Sequence, residues 1–448
     1  HPMANRVNYT ALPPRESPAR PTTLHDIPDK LLKLILLYLT SPQWLVRAAA
    51  TCKQWRRIIV DANFLSYVGS SPHPLSLVAG LYHNRTSPVD GRRHSFVPSS
   101  PVLAVNSRHF SLDFLPAGGS RSWEIVDSRH TLLLLAKKKT GWRRHTLPDL
   151  VVCEPLTRRY QLIPRMEEKK YHRCIGVFLH GFNDRGDTSR WGRAIDEMSS
   201  FRVICLLFNE HIGLSDNIGT ANAYAFQEGW RGKRASWFIV KYPERASPEF
   251  RFHATESLHF LGRAQISIFW AMQDDPSSLL TYNFQWKDEF EILALPDHIR
   301  GSALWALDIN DDNDDMVHLA CLQGDNLRIF VARWYDSPDW ELQKSIQLME
   351  ATRGLEGHKD EYFCQSTKIV STSTSSIVFS PAEEKWLFSI DFESMEVAKY
   401  KYKTDSFQTV AYPCELPWLP AIRACIVPCT TTRRGNRGCS GICICRSL

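Results

Sequence analysis

From about Leu75 to Pro420 the chain is a succession of short apolar runs, each closed by a cluster of turn-forming residues. Thr131–Ala136, Phe201–Phe208, Trp237–Val240, Ile266–Trp270, Val317–Leu322, Leu327–Trp334, Ser376–Phe379 and Trp386–Ile390 have the length and the β-branched and aromatic content of strands. Runs end near Pro116, Pro164, Pro243, Pro296, Leu348 and Tyr400. Apart from the wider gap between Pro164 and Pro243, the interval is near fifty residues, about what a propeller blade of four strands occupies. The wide gap holds Gly181–Trp191, a polar, Gly- and Arg-rich segment that reads as a long loop. No WD or kelch signature recurs, so the repeat is degenerate. A mainly-β, propeller-like repeat domain is expected over residues 101–424.

Composition agrees. Twenty-two Phe, 14 Trp and 14 Tyr spread through short segments suit a large β-rich core better than a helical bundle. A length of 448 residues fits two or three domains, or one large domain with a small one. With 43% hydrophobic and 23% charged residues, the chain is neither a coiled coil, nor collagen, nor wholly disordered. A net charge of +6 is small for this length and does not mark a dedicated nucleic-acid binder. No apolar run reaches the roughly 18 residues that span a bilayer; Leu31–Leu39 is short and contains Lys33. No nucleic-acid or membrane partner is therefore expected. The first residues lack a signal-peptide pattern. The scattered cysteines at 52, 153, 174, 205, 321 and 364 accordingly read as reduced, buried small hydrophobes of a cytoplasmic or nuclear protein. The sequons at Asn8 and Asn84 would then never meet the glycosylation machinery.

Leu24–Leu65 has a different texture. Pro28 suits the first helical position, and Asp29 complements the helix dipole from the first turn. Apolar residues at 31, 32, 35, 36 and 39 make one broad stripe, and Leu34, Leu37 and Tyr38 add apolar groups on the other side. A helix apolar nearly all round needs two buried faces. Ser41-Pro42 ends it and starts a second helix carrying Leu45, Val46 and Ala48 to Ala50. Cys52, Trp55, Ile58 and Ile59 form a third stripe, and Phe64 and Leu65 close the unit. Three helices in about 40 residues bury too little surface to be stable alone; without a metal or disulfide set, the physical implication is a partner.

This stretch resembles an F-box. Ile27-Pro28, Leu31-Leu32, Ile35, Leu39, Leu45, Ala48–Arg56 with Cys52 and Trp55, Asp61 and Phe64 stand in that motif's register. Ile27 replaces the commoner Leu, and Lys33 interrupts the first helix. Val126-Asp127-Ser128-Arg129 with Leu132–Leu135, Leu150–Tyr160 with Pro164, and Tyr412-Pro413 with Glu415–Ala424 are similar to the associated domain of plant F-box proteins, the last to the usual ending of the grass members. The resemblance implies an α+β multidomain protein: a three-helix F-box over 24–66, then a propeller-like substrate-recognition domain. It implies a substrate receptor of an SCF-type cullin–RING ubiquitin ligase, non-catalytic and without cofactors, binding a Skp-type adaptor and through it cullin. The alternative is a binding module acting outside the cullin assembly. By resemblance, Ile27, Pro28, Leu31, Leu32, Ile35 and Leu39 contact the adaptor, while Leu45, Ala48, Cys52, Trp55, Ile58 and Phe64 form the F-box core. Residues 1–23 read as a disordered leader, 67–100 as a linker and 425–448 as a disordered Cys-rich tail.

Other constellations carry little chemistry. The acidic run Asp308–Asp315 fails the EF-hand register, with Asn313 and Leu319, or Met316 and Leu322, where Gly and Glu are needed; it reads as a solvated hairpin tip. Cys425, Cys429, Cys439, Cys443 and Cys445 have a spacing zinc tolerates, but the tail has almost no apolar residues to build a knuckle. His180-Gly181 is reminiscent of hydrolase oxyanion loops, yet no Gly-x-Ser-x-Gly elbow, Walker loop, dinucleotide fingerprint or His-Glu-x-x-His occurs. Short basic clusters at Arg92-Arg93, Lys137–Lys139, Arg143-Arg144 and Arg433-Arg434 read as solvated loops. Target contacts are expected from the 173–200 insertion and the 308–315 turn, since rigid scaffolds carry function on loops.

Overall fold

The computed structural model describes residues 27–38, 45, 48, 53–59, 61, 64, 77–89, 92–98, 110–116, 122–137, 148–166, 172–180, 198, 201–210, 218–227, 236–240, 249–251, 258–264, 267–273, 275–283, 289–300, 302–307, 316–333, 339–372, 376–381, 386–392, 395–400 and 407–416. The expected leader, 1–23, and the Cys-rich tail, 425–448, lie outside these residues.

The N-terminal unit contains α1 (Asp29–Leu37) and α2 (Lys53–Ile59), with helical backbone also at Leu45, Ala48 and Phe64. Most of the second expected helix falls outside the described residues. Pro28 sits one place before the helix rather than in its first turn: its ψ of 140° is extended, and its carbonyl accepts from Leu31 N and Leu32 N. Leu32, Leu36, Leu45, Ala48, Ile58, Ile59 and Phe64 form one core, with Ile27, Leu37 and Trp55 packed against it.

The rest is a six-bladed β-propeller. The chain first lays down β1 (Leu77–Val89) and β2 (Arg92–Pro98). Blade 1 comes next as β3 (Trp123–Arg129), β4 (Leu132–Lys137), β5 (Leu150–Glu154) and β6 (Arg159–Ile163). Blade 2 has β7 (His172–His180), β8 (Arg202–Glu210), β9 (Ile218–Gln227) and β10 (Ser236–Val240), with β11 (Glu249–Arg251) also on β9. Blade 3 is β12 (Leu258–Ala264), β13 (Ser267–Met272), β14 (Ser278–Asn283) and β15 (Glu289–Ala294). Blade 4 is β16 (Ala303–Leu307), β17 (Met316–Gln323), β18 (Asn326–Arg333) and β19 (Glu341–Gln347). After the short helix α3 (Leu348–Thr352), blade 5 is β20 (Lys368–Thr372), β21 (Ser376–Ser380), β22 (Phe388–Asp391) and β23 (Val397–Lys399). The last strand, β24 (Phe407–Leu416), pairs with β1, so both ends of the domain close the ring in one sheet of order β2-β1-β24. The run endings at Pro164, Pro243, Pro296, Leu348 and Tyr400 fall just beyond the outermost strands of blades 1 to 5. Pro116 instead precedes blade 1.

Each blade is covered on both faces, which explains the unbroken apolar runs. In β4, Leu133 and Leu135 face the core shared with the closing sheet, and Leu132 and Leu134 face blade 2. In β8, Val203, Cys205 and Leu207 face blade 1, whereas Ile204, Leu206 and Phe208 face blade 3. The strand period of two is present, but both phases are apolar. Two indoles tie blades together from equivalent places. Trp237, on the outer strand of blade 2, donates to Pro164 O beyond blade 1 at 2.7 Å, and Trp340, just before the outer strand of blade 4, donates to Ala294 O of blade 3 at 3.3 Å.

The 67–100 linker expectation is corrected: Leu77–Val89 and Arg92–Pro98 are strands, and the propeller starts before residue 101. Their polar sequence hid them: β2 pairs only with β1, and the other partner of β1, β24, comes from the far end of the domain. Tyr82 packs in the core beside blade 1, and its hydroxyl donates to Phe110 O at 2.7 Å. Asn84 is buried, so its sequon is closed by the fold itself. Near the axis Asp127 of β3 accepts from Leu179 N of β7 at 2.6 Å. Arg263 of β12 donates to Leu179 O at 2.5 Å and lies 3.4 Å from Asp127 Oδ2. One carboxylate and one guanidinium thus join three consecutive blades. Close approach also fixes Gly262, whose φ is +135° and where a Cβ would stand 2.8 Å from Ala306 O of blade 4.

Candidate functional site

The first helix divides its apolar residues between two faces. Leu32 and Leu36 are fully buried in the helical core. On the other side Leu31, Leu34, Ile35 and Tyr38 are 52%, 55%, 48% and 85% exposed. Their spacing of three, four and seven places them in one ridge along the helix. Nothing in the described structure covers it. Four large apolar side chains in a row on a helix this short form the kind of patch that a monomer covers with a partner.

Elements around the ridge hold it rigid. Asp29, in the first turn of α1, accepts hydrogen bonds from Gln54 Nε2 at 3.0 Å and Arg57 Nη2 at 2.5 Å, both on α2. The Gln54 hydrogen bond, then the charge of Arg57, hold its carboxyl below the usual carboxylate range. Gln54 also reaches Ile27 O at 3.4 Å, fixing the entry into α1. At the other end Tyr38 N donates to Ile35 O, so a tight last turn sets the position of the Tyr38 ring at the tip of the ridge.

Of the expected adaptor contacts, Pro28, Leu31 and Ile35 are exposed and Ile27 is half-buried against the helical core. Leu32 is a correction. It is fully buried and belongs to the core that also holds Ile58 and Phe64. Leu39 lies outside the described residues. Leu34 and Tyr38 lie on the ridge with Leu31 and Ile35; the sequence puts them on the second apolar side of the helix but gives no sign that this side is left bare. Of the expected core, Leu45, Ala48, Ile58 and Phe64 are buried together and Trp55 packs on them. Cys52 lies outside the described residues, and Leu36 and Ile59 complete the cluster.

The remaining candidates give less. The expected 173–200 insertion is corrected in its first part, because Arg173–His180 belongs to the inner strand β7. The Gly181–Trp191 loop, the acidic run 308–315, Arg143-Arg144, Arg433-Arg434 and the tail cysteines lie outside the described residues. Lys137 closes β4, and Arg92 and Arg93 open β2 as strand residues rather than loop. Among the described residues no three of His, Cys, Asp and Glu are grouped to hold a metal ion, and no helix is long and apolar enough to cross a membrane. His180 is buried at the end of β7.

Residues 24–66 match the F-box-like family. No curated protein matches the chain. Solved structures similar to it include AztD from Citrobacter koseri, at 8% identity over 65% of this chain and 62% of that chain, with a TM-score of 0.28. A DUF4784 family protein from Bacteroides caccae is 11% identical over 75% of this chain and 73% of that chain, with a TM-score of 0.36. A putative 6-phosphogluconolactonase from Bacteroides fragilis is 9% identical over 74% and 97%, with a TM-score of 0.33. The present chain spans less than two thirds of the first of these. The blade count rests on this chain's own strand pairing: it joins an F-box-like domain at residues 24–66 to a six-bladed β-propeller.

Proposed function

We propose that this protein is the substrate-recognition subunit of an SCF-type cullin–RING ubiquitin ligase, working in the cytoplasm or nucleus. The uncovered ridge Leu31–Leu34–Ile35–Tyr38 on the F-box-like helix carries the reading. A Skp-type adaptor would complete the small helical core from outside and dock the chain on a cullin. The protein would do no chemistry. It would hold a target protein beside a ubiquitin-carrying enzyme, raising effective concentration so that transfer becomes nearly intramolecular.

The propeller would supply the target site. Blades 1 to 5 are each built in chain order from axis to rim, so the connection from first to second strand leaves each of them at the same end of the ring. The β7–β8 connection, anchored at His180 and Arg202, and the β16–β17 connection, anchored at Leu307 and Met316, are both of this kind. That shared end is the proposed target face.

Co-purification tests the reading. The full chain is expected to carry a Skp-type adaptor and, through it, a cullin, and a Leu34→Asp plus Tyr38→Asp variant is expected to lose both. Adaptor without cullin favours the second reading, a protein-binding module outside the cullin assembly. Failure to bind any Skp-type adaptor while the helical unit stays folded overturns the ligase reading.

A further inference from the structure

Blade 2 brings two thiols into contact. Cys174 stands on β7 and Cys205 on the neighbouring β8, with Sγ atoms 4.0 Å apart. They are not register partners, since Cys174 lies opposite Leu207 and Cys205 opposite Val177. A bulge between Cys174 and Gly176 shortens the diagonal between them. It sends Ile175 to the core shared with blade 3, while Cys174 and Cys205 both face the core shared with blade 1.

The two sulfurs differ in access. Cys205 is buried, whereas Cys174 is only half-buried. Contact with Cys174 and then burial push the Cys205 thiol up in pKa. The two sulfurs are in contact, and either thiol can donate to the other. Cys174 Sγ in turn points to Gly176 O at 3.7 Å. The more exposed sulfur, Cys174, is the one a reagent reaches first, with Cys205 in contact behind it, which is the arrangement of an attacking and a resolving cysteine. A disulfide needs the sulfurs about 2 Å closer, a movement on the scale of a rotamer change at Cys174.

We propose that Cys174 and Cys205 form a reversible, peroxide-responsive dithiol. The Cys174 thiolate attacks the O–O bond of a hydroperoxide. It becomes a sulfenic acid, and the other oxygen leaves, protonated, as water or alcohol. Cys205 sulfur then attacks Cys174 sulfur, the S–S bond forms, and the sulfenic oxygen departs as water carrying the Cys205 proton. Two electrons pass from the dithiol to the peroxide. A dithiol reductant restores both thiols through a mixed disulfide at Cys174. The link would span the bulge and close the strand pair on either side of the β7–β8 connection, so the oxidised protein should melt at a higher temperature than the reduced one.

The test treats the full chain with hydrogen peroxide, blocks remaining thiols and maps its peptides without reduction. The expected product is a peptide pair joined through Cys174 and Cys205, about 2 Da lighter than the two free-thiol peptides together and separated again by dithiothreitol. In a Cys205→Ala variant Cys174 should stop at the sulfenic acid and be captured by dimedone; in Cys174→Ala, Cys205 should stay reduced. Wild-type mapping decides the matter should either variant fail to fold. Cys174 left unreacted, Cys174 paired with a different cysteine, or Cys174 oxidised beyond sulfenic acid with Cys205 still free would each overturn the proposal.

Discussion

Asn84 and Ile125 exchange two hydrogen bonds across the joint between the closing sheet and blade 1. Asn84 Nδ2 donates to Ile125 O at 2.7 Å, and Ile125 N donates to Asn84 Oδ1 at 3.0 Å. A side-chain amide thus stands in for the backbone of a neighbouring strand where the ring is sealed. Asn84→Ala leaves a buried N–H and a buried C=O unmatched, at about 1–3 kcal/mol each. The expected result is a clear drop in the denaturant midpoint. Asn84→Asp still accepts but no longer donates, and it buries a charge, so it should recover none of the loss. Equal stability of all three proteins would show that the joint is held elsewhere.

The axial ion pair makes a prediction with a pH sign. Burial raises the Asp127 pKa, while the Arg263 charge and then the Leu179 N–H pull it back down. Removing Arg263 by Arg263→Ala strands a buried carboxylate, at about 3–5 kcal/mol near neutral pH. In that variant the folded-state pKa of Asp127 rises further above its unfolded value. The variant should therefore be relatively more stable in acid and lose that stability as the pH rises through the folded pKa. Asp127→Asn added to Arg263→Ala should restore part of the loss and flatten the pH dependence. A double-mutant cycle followed by urea melts at several pH values checks both statements.

Acid should weaken the closing sheet through His83 and His94. Burial lowers the pKa of each from 6.5 to about 4. For His94, a hydrogen bond involving the Trp123 backbone and the charge of Glu124 oppose this, and Arg93 adds to it. The unfolded chain takes up these protons near pH 6.5, and the folded chain only near 4. Their contribution is thus complete above pH 6.5, falls as the pH drops, and levels off below about 4. Each pKa unit of difference amounts to about 1.4 kcal/mol per histidine. His83→Gln and His94→Gln should each shallow the fall in stability over this window. An unchanged slope would mean that neither ring is held neutral.

How much of this was legible depended on what covered each segment. Thr131–Ala136 and Phe201–Phe208 read as strands because blades on both sides make both phases of the strand apolar. The blade interval was legible for a related reason: the outermost strands of blades 1 and 3 stop where the chain turns back to the axis, and Pro164 and Pro296 stand at these stops. β1 left no such trace. His83, Asn84, Arg85, Thr86 and Pro88 look like loop, and pairing with β2 on one side and β24 on the other makes this segment a strand. At the site, the all-round apolar character of α1 was plain, but its inward face was not. Leu32 and Leu34 are chemically identical; a core that includes residues far along the unit, such as Ile58 and Phe64, takes in Leu32 and not Leu34.

That division of α1 separates folding from binding. Leu36→Ala opens a cavity in the helical core and should cost about 2–5 kcal/mol, so the 24–66 region of the full chain should become sensitive to protease. Leu34→Ala and Tyr38→Ala remove side chains already in water, and each should change stability by no more than about 0.5 kcal/mol. If the ridge is the adaptor contact, these same two changes should act as hot spots, each weakening a Skp-type adaptor by roughly 30-fold, the equivalent of about 2 kcal/mol. Calorimetric titration of each full-length variant, with limited proteolysis in parallel, checks the pattern. Tyr38→Ala or Leu34→Ala protein that is protease-resistant and binds the adaptor as wild type does would move the contact off this face of the helix.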